Sequence, residues 1–138
     1  MPIKTKDPNP KNNSYHKGLA LENIAANYLQ TNGLLILQHN FHCPFGEIDL
    51  VCKNQSNGLP NHQDELIFVE VRYRKNINYG TPEETITRTK QKKILLAIEH
   101  YLAQNKWTIN LPYRIDVIAM SGLLGDLNIE WIQNAIYM

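Results

Sequence analysis

With only two cysteines, Cys43 and Cys52, this chain of 138 residues has no disulfide framework to lean on. Its fold must come from packing, and the pair of thiols is expected to be reduced, as in a cytoplasmic protein. No apolar run approaches the roughly 18 residues needed to span a bilayer. The first residues, MPIKTKDPNPKNN, hold no apolar stretch of the kind a secretory signal requires. Membrane residence and export are therefore not expected. Several catalytic signatures are missing as well. There is no glycine-rich phosphate loop, no nucleophile elbow and no zincin helix, and His39, His42, Cys43 and Cys52 match no zinc-finger spacing. Repeats and low-complexity tracts are absent too.

Net charge is nearly absent, at +1, but its distribution is uneven. Between Arg72 and Lys93 stand seven basic residues (Arg72, Arg74, Lys75, Arg88, Lys90, Lys92, Lys93) against Glu83 and Glu84, a local charge of +5 that leaves −4 for the rest. A basic strip on a neutral protein fits contact with a phosphate backbone, and it also fits a solvated helix face. Lys90 and Lys93, one turn apart, share a helix face, and with Arg74, Lys75 and Arg88 they are the expected nucleic-acid contacts.

The length suits one domain, and a hydrophobic fraction of 43% is ordinary for a globular core. Residues 1–13 are expected to form a flexible tail and 14–138 the folded domain. A helix is predicted from about Tyr15 to Gln30, because Leu21, Ile24, Ala25, Tyr28 and Leu29 repeat at helical spacing and Asn32-Gly33 supplies a stop. Strands follow over Leu34–Phe41 and Gly46–Cys52, joined through Cys43-Pro44-Phe45, and then over Glu65–Tyr73, the richest in β-branched and aromatic residues. A second helix is predicted from Pro82, with Thr81 as N-cap, to about Asn105; two more strands cover Tyr113–Met120 and Asn128–Ile132. The order α-β-β-β-α-β-β implies an α/β domain with a central mixed sheet flanked by helices.

Two strands carry charges where strands are usually apolar. In ELIFVEVRY, Glu70 and Arg72 share a face, and Glu70 stands between Val69 and Val71. In GEIDLV, Glu47 and Asp49 are expected to share one face and Ile48 and Leu50 the other. Burying such a charge is costly unless it is paired or coordinates a metal. If the two strands pair, Asp49 comes beside Glu70, and an oxygen-only set of this kind suits Mg²⁺ or Mn²⁺. The same pattern also describes a structural acid–arginine pair. Glu47 reads as a rim group, and Arg114 and Asp116, on one strand face, as an internal ion pair.

GEIDLV followed by FVEVRYR resembles the D-(x)n-E-x-K core of PD-(D/E)xK phosphodiesterases. The similarity extends through KGLALENIAANYLQTNGLLILQHN, YGTPEETITRTKQKK, AIEHYL, YRIDVIAM and IEWIQNAIYM, which together resemble the YraN family of predicted bacterial endonucleases, distant relatives of Holliday-junction resolvases. The resemblance implies a restriction-endonuclease-like fold and a metal-dependent nuclease acting on DNA, branched or damaged, more than on RNA. It makes Asp49, Glu70 and the helix residue Glu22 the metal ligands, with Arg72 at the position of the motif lysine. A guanidinium stays protonated, so Arg72 binds and orients rather than moving a proton. On this basis Arg72→Lys is expected to raise cleavage. The alternative is a non-catalytic nucleic-acid-binding module on the same fold. Analogy with resolvases, which cut two strands symmetrically, adds a homodimer to the expectations.

Overall fold

A computed structural model describes the backbone of residues 10–56, 58, 63–75 and 86–136, and the side chains within that range from Lys17 onward. Helix α1 spans Pro10–Thr31, beginning inside the stretch expected to be a tail. Of the stripe that the helical spacing predicts, Leu21, Ala25 and Leu29 are buried and Ile24 and Tyr28 half-buried, with Ala26 buried beside them. It ends as foreseen at Asn32-Gly33. Gly33 takes φ 96°, a left-handed conformation that costs glycine no steric penalty. The Leu34 N–H reaches back to the Leu29 carbonyl and the Gly33 N–H to that of Gln30, the two bonds of a Schellman stop.

Three strands follow, β1 (Leu35–Cys43), β2 (Gly46–Asn54) and β3 (Glu65–Arg74). Helix α2 (Arg88–Gln104) then leads through a 3-10 turn at Lys106–Thr108 to β4 (Tyr113–Leu123) and β5 (Asp126–Ile136). The strands form one sheet in the order β1-β2-β3-β4-β5. Only the β3–β4 pair is parallel, and α2 is the crossover it requires. This is the mixed α/β architecture that the element order predicts.

The helices cover opposite faces. Leu66 and Phe68 of β3 pack with Ile94, Ala97, Ile98 and Tyr101 of α2, whereas Ile67 and Val69 pack with Leu21, Ala25 and Leu29 of α1. A sheet buried on both sides explains why β3 reads as a nearly continuous apolar run.

Two predicted elements need correction. Ile86 and Thr87 are not helical, and α2 starts at Arg88 with Thr87 as its N-cap, the Thr87 Oγ1 accepting from the Lys90 N–H at 3.1 Å. Thr81 and Pro82 lie outside the described residues. The last strand is 11 residues long, well beyond Ile132. The polar pair Gln133-Asn134 hides its continuation. Asn134 adopts φ 52°, and the β4–β5 register shifts between Ile115 and Val117. Asp116 lies in that gap, fully buried, and accepts the Asn134 N–H at 2.8 Å in place of a ladder partner. Its carboxylate also accepts from Arg114 Nε at 3.0 Å and Trp131 Nε1 at 2.9 Å. The expected Arg114–Asp116 pair is thus present, as an anchor for β5.

Candidate active site

The site lies where β2 and β3 part. Their ladder begins at Asn54↔Glu65 and ends at Leu50↔Val69, so Asp49 and Glu70 stand just past the last pair. The Val71 N–H, beyond the ladder, would be orphaned; Asp49 Oδ2 accepts it at 2.8 Å. The fork also twists. Ile48 packs with the cluster under α2 and Leu50 with the cluster under α1, so they do not share a face as simple alternation predicts. On β1, between the His39↔Leu50 and Phe41↔Ile48 pairs, Asn40 sits at φ 50°, a left-handed kink that accompanies the switch.

Glu70 is 5% exposed, and its carboxyl hydrogen-bonds that of Asp49. Two carboxyls can share such a bond only if one carries the proton. Burial first, and then the Asp49 charge, push the Glu70 pKa up to about 8, which favours a pair that shares one proton. Asp49 is itself raised by burial, against the Val71 N–H and Lys90, which favour its charged form.

Two cations face this pair. Lys90 Nζ is 3.6 Å from Glu70 Oε1, and Arg72 Nη1 is 4.0 Å from the same atom. Lys90 therefore does not sit on a solvated helix face as its pairing with Lys93 implies; it is half-buried against the acids. In the sequence Lys90 heads the same stripe as Ile94, Ala97, Ile98 and Tyr101, which puts it at the edge of the buried face without showing what it meets.

Glu22 approaches from α1. Burial raises its pKa, the Asn40 side chain lowers it, and the charges of Asp49 and Glu47 raise it further. Its Oε2 is the one buried side-chain oxygen or nitrogen without a hydrogen-bond partner among the described residues. An orphaned carboxylate oxygen within electrostatic reach of Asp49 has the chemistry of a ligand for a hard divalent cation. As the side chains stand, no three His, Cys, Asp or Glu among the described residues are gathered closely enough to hold one. Closure around an ion therefore needs side-chain movement by Glu22 or Glu70.

Of the other sequence-predicted residues, Glu47 is exposed on the rim and pairs with His42 at 3.2 Å. Arg74 and Lys75 end β3, half-buried and exposed respectively, and Arg88 and Lys93 are exposed on the first turns of α2. The Lys90–Glu70 contact ties this basic end of α2 to the carboxylates.

The profile of the uncharacterised protein family UPF0102 matches residues 21–120, a span containing Glu22, Asp49, Glu70, Arg72 and Lys90. The chain belongs to this family. A UPF0102 protein of Saccharophagus degradans is 41% identical over 118 residues, covering 86% of this chain and 90% of the relative. One from Nitrosococcus oceani is 37% identical over 119 residues, with the same coverage of 86% and 90%. UPF0102 protein NMC2069 of Neisseria meningitidis is 39% identical over 121 residues, covering 88% of this chain and 95% of that protein. UPF0102 membership agrees with the motif order read from the sequence. Among the described residues, no helix is long and apolar enough to cross a membrane.

Proposed function

We propose that this UPF0102 protein is a divalent-metal-dependent phosphodiesterase that cleaves DNA. The observation that carries the reading is the pair of buried Glu70 and half-buried Asp49 at the strand fork, faced by Lys90 and Arg72. A pair of acids that must share a proton in an apolar setting is a costly arrangement, and such arrangements concentrate at functional sites. Asp49, Glu70 and Glu22 would hold Mg²⁺ or Mn²⁺. When bound, the ion polarises a phosphoryl oxygen and lowers the pKa of an attacking water.

The remaining work falls to the chain itself. The Val71 N–H fixes the Asp49 carboxylate, so one ligand is oriented before anything binds. Lys90 and Arg72 are placed to bind and orient the phosphate and to offset the charge that builds on its oxygens. Arg72 offers a planar fork and Lys90 a compact ammonium, so their contributions differ. Arg74, Lys75, Arg88 and Lys93 would extend phosphate contact outward, and two copies would be needed for symmetric cutting.

A second reading has its own support. Lys90 and Arg72 already offset the charge that the Asp49–Glu70 pair keeps after sharing a proton, which is what a non-catalytic nucleic-acid-binding module would retain. Isothermal titration with Mn²⁺, comparing the native chain with Asp49→Asn, together with cleavage of a panel of DNA structures, separates the two. Saturable Mn²⁺ binding that Asp49→Asn abolishes, with Mn²⁺-dependent cleavage, is the expected result. Salt-sensitive DNA binding without cleavage by the Mn²⁺-loaded protein would leave the binding module.

A further inference from the structure

Beside the carboxylates lies a cavity of about 470 Å³ that the nuclease reading does not use. It opens between the Pro44-Phe45 turn, which joins β1 to β2, and the first turns of α2. Phe45, Gly46, Glu47, Lys90, Lys93 and Ile94 are among the residues that line it. Its volume falls within the roughly 300–1,000 Å³ typical of small-ligand sites. Lys90 belongs to both places, lining the cavity while standing 3.6 Å from Glu70.

We propose that this cavity holds one unpaired nucleotide next to the phosphate at Glu70, which makes the substrate DNA with a single-stranded flap or fork rather than plain duplex. The inference rests on the nuclease reading for the position of that phosphate. Three features favour a nucleotide. Phe45 is a large aromatic of the lining left 53% exposed, with the His100 ring beside it at a centroid distance of 5.2 Å and a tilt of 41°. A ring steadied by a neighbouring ring yet still half exposed can serve as a stacking platform for a base. Lys90 and Lys93 supply phosphate contacts one turn apart, and the acid in the lining, Glu47, is drawn to His42 at 3.2 Å. The wall is also fixed in place. A Cβ on Gly46 would meet the Lys93 carbonyl oxygen at 2.7 Å, so the turn rests directly on the α2 backbone. A base paired in duplex cannot bring its face onto Phe45, whereas an unpaired one can.

The test compares two labelled DNAs by fluorescence anisotropy without divalent ions: a blunt duplex and the same duplex carrying a single-stranded flap. The native chain is expected to favour the flap by about tenfold, the scale of one stacked base. Phe45→Ala should remove most of that preference while leaving blunt-duplex affinity unchanged, and Phe45→Trp should keep it. Lys93→Ala should weaken flap binding and flatten its salt slope by about one unit. Equal affinity of the native chain for both DNAs overturns the inference, as does a preference that survives Phe45→Ala. Displacement of the flap by polyglutamate as readily as by unlabelled flap DNA overturns it as well, by reducing the cavity to a charge patch. A flap preference without metal-dependent cleavage would remove the nuclease reading and leave the nucleotide site, whereas cleavage without preference would do the reverse.

Discussion

Lys90 stands closer to Glu70 than Arg72 does, 3.6 Å against 4.0 Å from the same Oε1, although Arg72 is only two residues along the strand. On the phosphodiesterase reading, Lys90 would stand in space where the motif puts a lysine on β3, arriving from α2 instead. Lys90→Met is expected to lower single-turnover cleavage by about 10²-fold or more, the usual cost of losing one well-placed charge donor. Arg72→Met should cost less, and Arg72→Lys should shift the rate by less than about tenfold, because an amine is already in place. This revises the sequence-based expectation that Arg72→Lys raises cleavage. Single-turnover rates of the three variants decide the order, and an Arg72→Met loss larger than that of Lys90→Met would reverse the assignment.

Glu70 links stability to pH. Its carboxyl is raised from 4.5 to about 8, so the fold disfavours the charged form. The stabilisation from the protonated form is complete below about 4.5 and is lost as pH rises through about 8. Glu70→Gln mimics the protonated acid, so above that range the variant should be the more stable, by on the order of 1 kcal/mol or more. Urea denaturation of both proteins at several pH values reads this directly. A cation held by this pair would displace the shared proton, so Mn²⁺ binding should tighten from pH 6 toward pH 8 and release protons, measurable by titration in buffers of different ionisation enthalpy. Binding that is flat in pH would show that Glu70 is not a ligand.

Gly46→Ala tests the contact between the β1–β2 turn and α2. The added methyl would press on backbone at 2.7 Å, with no flexible side chain to yield. A loss of about 1–3 kcal/mol is expected from such overpacking, seen as a lower urea midpoint. An unchanged midpoint would mean that the turn lifts from the helix at little cost.

Asp116→Ala tests the anchor of β5. It would leave Arg114, the Trp131 indole and the Asn134 N–H without their shared acceptor in a fully buried position. Breaking a buried charge pair costs about 3–5 kcal/mol. Thermal denaturation should show this loss, and hydrogen exchange should show it first in β5. Burial, helped by the Asp116 charge, also pushes the Cys52 thiol up to about 12, so in the native chain Cys52 should resist alkylation.

Much of this was legible in the residues. The strands announced themselves by composition, and an acid inside FVEVRY was conspicuous because its neighbours are apolar. Glu70 and Asp49 could therefore be found without coordinates. The path of β5 could not, because Asn134 joins the strand through a carboxylate supplied by another strand. Nor could the face switch at Ile48–Leu50, which follows from the fork and the Asn40 kink rather than from alternation. Lys90 was misjudged for a related reason. A lysine at the head of an apolar helical stripe looks like any boundary residue until the element that meets it is known, and here that element bears a buried acid.

The cap of α2 has a consequence at a distance. Thr87 Oγ1 holds the amide of Lys90, the same residue whose ammonium reaches Glu70. Each residue of an α-helix is rotated by about 100° from the last. A start displaced by a single position would swing Thr89 or Gln91 toward the acids and carry the amine away. One hydroxyl and the buried stripe of Ile94, Ala97, Ile98 and Tyr101 thus agree on the rotation of the helix, and with it on where the Lys90 charge is aimed.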